Sequence, residues 1–61
     1  ILMNDDENAR IHRMYHALKF AGSDEEYIQR YIADKMGWSE QETSDNIREM
    51  HDWVGRQHDQ G

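Results

Sequence analysis

The chain has 61 residues, no cysteine, no proline and a formal net charge of −6. A chain this short forms one domain with a small core, and without cysteines it has neither disulfides nor thiolate metal ligands. No apolar run approaches the roughly 20 residues that a membrane-spanning helix needs, so we expect a cytoplasmic protein with no membrane partner. The chain begins with Ile1 rather than methionine, which favours a domain excised from a longer protein.

The negative charge is concentrated in the second half of the chain. Residues 1–22 are balanced, residues 23–37 carry −2 and residues 38–61 carry −4. An acidic surface repels nucleic acids and anionic membranes and attracts basic protein surfaces. The charge therefore favours a protein partner.

The first predicted helix covers residues 5–21. Asn4 or Asp5 would cap its start, and Gly22 would end it in the left-handed conformation. Its apolar residues recur at helical spacing and should form the buried face: Ile11, Met14, Tyr15 and Leu18.

The second predicted helix covers residues 24–36. Ser23 and Glu26 have the spacing of a capping box, and Gly37 follows the last helical residue. The predicted buried face consists of four residues: Ile28, Tyr31, Ile32 and Met36.

The third predicted helix covers residues 40–54. Ser39 and Glu42 form a second capping box, and Gly55 is expected to close the helix. The apolar stripe consists of Thr43, Ile47, Met50 and Val54. Residues 56–61 are predicted to be a polar, frayed tail.

These elements predict an all-α fold, a three-helix bundle in one domain spanning residues 1–61. Short amphipathic helices are marginal in isolation, so the three should pack around a common core. Trp38, just before the third cap, would hold the turn against that core.

A small residue, a turn glycine and a polar cap follow one another at Ala33, Gly37 and Ser39. With the aliphatic residues around them, they make residues 32–50 similar to the helix-turn-helix of bacterial and phage regulators. Thr43 departs from that family, which usually has an aliphatic residue there. The resemblance implies a DNA-binding domain of a transcriptional regulator or of a phage or plasmid protein. Its DNA-binding residues would be Gln41, Asn46, Arg48 and Arg56, with further phosphate contacts from Arg10, Arg13 and Lys19.

The charges of the third helix oppose DNA binding. Its outer face carries four carboxylates against Arg48, whereas a recognition helix lies between two rows of phosphates. We therefore favour a non-enzymatic protein-docking module on a helix-turn-helix-like frame, within a larger regulatory or multi-component protein. Its partner would have a basic or aromatic surface, and a homodimer is a third hypothesis. The predicted partner-binding residues are Trp38, Glu40, Gln41, Ser44, Asp45, Arg48, Glu49 and Asp52.

The loop Met36-Gly37-Trp38 also resembles the binding loop of ubiquitin-associated domains. That family has two further helices after the loop, and only one fits here before the polar tail. We therefore favour the docking and DNA-binding hypotheses over ubiquitin recognition.

The remaining polar residues indicate no catalytic site, metal or cofactor. His12 and His16, one helical turn apart, could share a metal ion, but nothing in the sequence brings His51 or Asp52 to them as further ligands. The serines are explained as caps or as part of a polar face, so we predict no enzymatic activity. Phe20 and Tyr27 fall off the apolar stripes and would either cover the bundle ends or contact a partner.

Overall fold

The computed structural model describes residues 3–59 and is a three-helix bundle, as the sequence predicts. The helices are α1 (Asp5–Phe20), α2 (Glu25–Met36) and α3 (Glu40–Asp59). Each helix packs against the other two. None of the helices in this part of the chain is long and apolar enough to cross a lipid bilayer.

Helix α1 begins with a capping interaction and ends at a glycine with positive φ. The side chain of Asn4 accepts a hydrogen bond from the Glu7 N–H at 2.8 Å, and the Asn4 N–H donates to the Glu7 carboxylate at 3.3 Å. This capping box selects Asn4, rather than Asp5, as the cap of α1. After the helix, Gly22 has a φ of 93°, and its N–H donates to the Lys19 carbonyl at 3.0 Å. Gly22 therefore ends α1 as expected.

The predicted Ser23 cap of α2 is wrong. The N-cap is Asp24, whose carboxylate accepts from the Tyr27 N–H at 2.9 Å. Ser23 belongs to the end of α1, because its own N–H donates to the Leu18 carbonyl at 3.0 Å. That bond completes a Schellman motif, so the next residue is the first one placed to cap α2.

The turn between α2 and α3 forms as predicted. Gly37 adopts a φ of 73°, and the N–H groups of Gly37 and Trp38 both donate to the Ala33 carbonyl. Ser39 then opens α3: its hydroxyl accepts from the Glu42 N–H at 3.1 Å, and its N–H donates to the Glu42 carboxylate at 3.2 Å. Both reciprocal bonds of the second capping box are present.

Helix α3 does not stop at Gly55, and the predicted frayed tail is wrong for residues 56–59. The helix continues to Asp59, and Gly55 is not among the glycines with positive φ. Glycine inside a helix costs only about 1 kcal/mol relative to alanine, which does not break a helix whose following residues are compatible with it. Arg56 also pairs with Glu49 on the preceding turns. Residues 60 and 61 of the predicted tail lie outside the described residues.

The core consists of residues from all three helices. Its buried apolar members are Ile11, Tyr15, Ile28, Ile32, Ile47 and Met50. Partly buried apolar residues pack around them: Met3, Met14, Leu18, Met36, Trp38 and Val54. The predicted stripes therefore face the core, with the exception of Tyr31. This side chain is not one of the residues packed against the core, and the Lys35 ammonium lies 5.5 Å from its ring centroid.

Two polar residues are buried with the core. The Thr43 side chain is fully buried, and its hydroxyl donates a hydrogen bond to the Ser39 carbonyl at 2.7 Å. Asn8, which the helical spacing did not mark as buried, donates from Nδ2 to the carbonyls of Met3 and Asn4. Its Oδ1 has no hydrogen-bond donor within the described residues.

A polar cluster joins the end of α1 to the start of α2. The Tyr15 hydroxyl donates to the Glu25 carboxylate, which also lies 2.9 Å from Lys19 Nζ. The Tyr15 hydrogen bond, followed by that of Lys19, lowers the pKa of Glu25. The same hydrogen bond raises the pKa of Tyr15. The cluster therefore favours the ionised carboxylate and stabilises the α1–α2 turn.

Candidate functional site

The outer face of α3 lies opposite its buried stripe. Because residues three or four apart share one face of a helix, the position of each predicted partner-binding residue determines whether it is exposed to solvent. Among the predicted partner-binding residues, five are exposed: Glu40, Gln41, Asp45, Arg48 and Asp52. Three are half-buried: Trp38, Ser44 and Glu49. We call the exposed set the α3 acidic face.

The three carboxylates of the α3 acidic face, Glu40, Asp45 and Asp52, have no cationic partner among the side chains of residues 3–58. Asp45 accepts only a hydrogen bond from the Gln41 side-chain amide at 3.1 Å. The negative charge of these three groups is therefore available to a partner.

Glu49 differs from these three carboxylates. Arg56 lies 3.4 Å from its carboxylate, because the continued helix brings these residues to one side, two turns apart. The frayed tail expected from the sequence would have left Glu49 without this neighbour. Pairing and partial burial make Glu49 a weaker candidate for partner contact than Asp45 or Asp52.

Trp38 lies at the N-terminal end of α3 but packs against the core. Its position matches the predicted role in holding the turn. A partner would reach only the exposed part of its half-buried side chain, at the margin of the α3 acidic face.

A groove next to this face was not predicted. It encloses about 620 Å³ between α2 and the start of α3, and it is lined by Glu26, Gln29, Arg30, Ala33 and Glu40. The Gln29 amide spans the two helices by donating to the Glu40 carbonyl at 3.3 Å. The small side chain of Ala33 was the sequence signal for a close approach of the helices, but spacing alone did not show which residues surround it.

The residues of the DNA-binding alternative differ in exposure and in whether they form ion pairs. Gln41 and Arg48 are exposed, and Asn46 is half-buried. Arg56 is paired with Glu49, and Lys19 is paired with Glu25. Arg48 is the one guanidinium within α3 that has no ion-pair partner among the side chains of residues 3–58, and it shares its face with Asp45 and Asp52.

Two aromatic side chains lie well outside the core. Phe20 is 85% exposed and Tyr27 is 53% exposed. The Tyr27 and Tyr31 rings lie 6.4 Å apart on α2. These side chains are available for contact and are separate from the α3 acidic face.

The described residues contain no group of three or more histidine, aspartate or glutamate side chains placed to hold a metal ion. His12 and His16 do come together, with ring centroids 4.2 Å apart. His51 instead packs edge-on against the Tyr15 ring at 5.0 Å.

Comparisons of this chain with protein-family models, with curated proteins and with solved structures find no match.

Proposed function

We propose that this chain is a non-enzymatic docking module that binds a basic segment of a partner protein through the α3 acidic face. It would do so on a helix-turn-helix-like frame, as a cytoplasmic part of a larger regulatory or multi-component protein. The observation that carries the proposal is the set of three exposed carboxylates, Glu40, Asp45 and Asp52, that have no ion pair among the side chains of residues 3–58.

The spacing of these carboxylates suits an elongated partner. Asp45 and Asp52 are seven residues apart on one helix, which places them about 10 Å apart along its axis on the same side. Lysine or arginine side chains two turns apart on a partner helix would meet both of them. Long-range attraction would mainly raise the association rate and select basic partners.

The charge distribution supports this proposal over DNA binding. Phosphate contacts supply most of the affinity for DNA, yet two of the cations that DNA binding would need are engaged with Glu25 and Glu49. Duplex DNA approaching α3 would meet Glu40, Asp45 and Asp52. The docking proposal requires no rearrangement of these pairs.

The test is an amide chemical-shift titration of the ¹⁵N-labelled chain at low salt, about 10 mM, where charges act over about 30 Å. The first probe is a lysine-rich helical peptide of about four turns, and the second is a random-sequence DNA duplex. We expect the peptide to shift the amide signals of Gln41, Asp45 and Asp52 in a salt-dependent manner. We expect the duplex to leave these signals in place.

The variant Asp45→Asn/Asp52→Asn should weaken peptide binding about fivefold, because each exposed charge pair contributes about 0.5 kcal/mol. The matched control Asp6→Asn/Asp34→Asn removes two exposed carboxylates from α1 and α2, so it makes the same change in net charge. Equal weakening by both variants would show that net charge, and not this face, attracts the peptide. Shifts at Gln41, Asn46 and Arg48 with DNA alone would replace the proposal with the DNA-binding alternative.

A further inference from the structure

All four histidines of the chain lie on α1 or α3. His12 and His16 are on α1, and His51 and His58 are on α3. The His12 and His16 rings are tilted against each other with centroids 4.2 Å apart. Two imidazoles at this distance are compatible while at least one of them is neutral, because two imidazolium groups would repel each other.

His12 also contacts α3 through Trp53. The two rings meet edge to face with centroids 6.5 Å apart. The Trp53 indole N–H in turn donates to the Asp5 carboxylate at 3.0 Å, across 48 positions of the chain. We call these four residues, His12, His16, Trp53 and Asp5, the α1–α3 junction.

The surroundings of His12 disfavour its protonated form. Partial burial is the main cause that lowers the pKa of His12, and His16, His51 and His58 lower it further. The carboxylates of this region already have donors: Asp5 accepts from Trp53, and Glu25 accepts from Tyr15 and contacts Lys19. His51, also on α3, packs against Tyr15. Among the side chains of residues 3–58, no carboxylate forms an ion pair with His12, so no ion pair offsets the charge of an imidazolium at this position.

We propose that the α1–α3 junction is an acid-sensitive contact, in which protonation of His12 beside His16 displaces Trp53 from Asp5 and loosens the last turns of α3 from α1. At neutral pH the rings pack as uncharged groups. When the pH falls below about 6.5, imidazoles acquire charge, and the unfolded or opened chain accepts protons more readily than the packed junction does. This property does not depend on the docking proposal, because none of the four junction residues belongs to the α3 acidic face.

The test compares solvent exchange of the two tryptophan indole N–H protons by NMR. Trp53 donates to Asp5, whereas Trp38 lies at the α2–α3 turn and serves as an internal reference. The ratio of the Trp53 rate to the Trp38 rate removes the direct effect of pH on exchange chemistry. On lowering the pH from about 7.5 to about 5.5, a range centred on histidine titration, we expect this ratio to rise roughly threefold in the unmodified chain.

His12→Gln keeps a polar side chain of similar size without a titrating group, so the ratio should then stay constant over the same range. His16→Gln should reduce the rise, since it removes the nearest charge, and it keeps the test decisive if His12→Gln does not fold. A constant ratio in the unmodified chain would overturn the proposal. An equal rise in the unmodified chain and in both variants would also overturn it.

Discussion

The most discriminating test of the third helix is the substitution Gly55→Ala. If Gly55 ended the helix in the left-handed conformation, as its position in the sequence suggests, alanine would be strained there and the domain would lose stability. In the structure Gly55 is an interior residue of α3 without positive φ. Alanine should then stabilise the domain.

The expected magnitude comes from the environment of Gly55. A Cβ atom added there would meet nothing within 4 Å, so no steric term opposes the change. Alanine is favoured over glycine in a helix interior by about 1 kcal/mol, and the position is exposed and near the helix end. We expect a gain of about 0.5–1 kcal/mol, or about 2–8 °C in Tm for a domain of this size.

The assay is thermal and urea unfolding followed by far-ultraviolet circular dichroism. Gly37→Ala is the matched control: it also has free space around its Cβ, but its φ of 73° is unfavourable for alanine, and it should lose about 1–2 kcal/mol. The two substitutions should therefore move Tm in opposite directions. A loss of stability in Gly55→Ala comparable to that of Gly37→Ala would refute the continuous α3 helix.

Further predictions concern the core and the α1–α2 cluster. Ile32→Ala should cost about 2–5 kcal/mol, enough to leave so small a domain largely unfolded, and a cooperative transition near the original Tm would contradict this. Thr43→Val should change stability by less than about 0.5 kcal/mol in urea unfolding, because the Ser39 carbonyl keeps its bond from the residue 43 N–H at 2.9 Å; a loss above about 1 kcal/mol would show that the hydroxyl is needed. Because the pKa of Glu25 is lowered from 4.5, its stabilising contribution is present above pH 4.5 and is lost as the pH falls through the lower folded value. Glu25→Gln should therefore reduce the fall of Tm with acid in that range, and an unchanged acid profile would argue against this cluster.

The helix boundaries that the sequence predicts correctly are those fixed by local chemistry. Ser39 and Glu42 were predicted as a capping box, and their hydrogen bonds lie within one turn of the helix, so local spacing is sufficient to find them. At the start of α1 the sequence leaves Asn4 and Asp5 open, and the structure selects Asn4. Gly22 and Gly37 adopt the left-handed conformation that a helix end requires. The three-helix fold follows from these boundaries and the apolar spacing between them.

The errors occur where a residue has two compatible local roles. Ser23 has the spacing of a cap, but completing the Schellman motif of α1 takes its backbone amide and leaves the cap to Asp24. Gly55 is compatible with both a helix end and a helix interior. The burial of Asn8 depends on how the residues before α1 pack against it, and helical spacing alone does not predict that packing.

For the candidate surface, the helical period was sufficient to place Asp45 and Asp52 on the solvent side of α3. It could not give the pairing of Glu49 with Arg56, because that pair depends on a helix turn that the sequence did not predict. The helical period also could not predict the groove lined by Gln29 and Ala33, because the groove arises from the packing of α2 against the start of α3.

The hydrogen bond between Trp53 and Asp5 has a consequence for the order in which the fold is assembled. The turns at Gly22 and Gly37 join helices that are neighbours in sequence, and such contacts form with little loss of chain entropy. The Trp53–Asp5 bond closes a loop of 48 positions, and the entropy of closing that loop falls if α1–α2 and α2–α3 are already paired. We therefore expect this bond to form late in folding and to open early in unfolding, with the two glycine turns as the earlier and more persistent contacts.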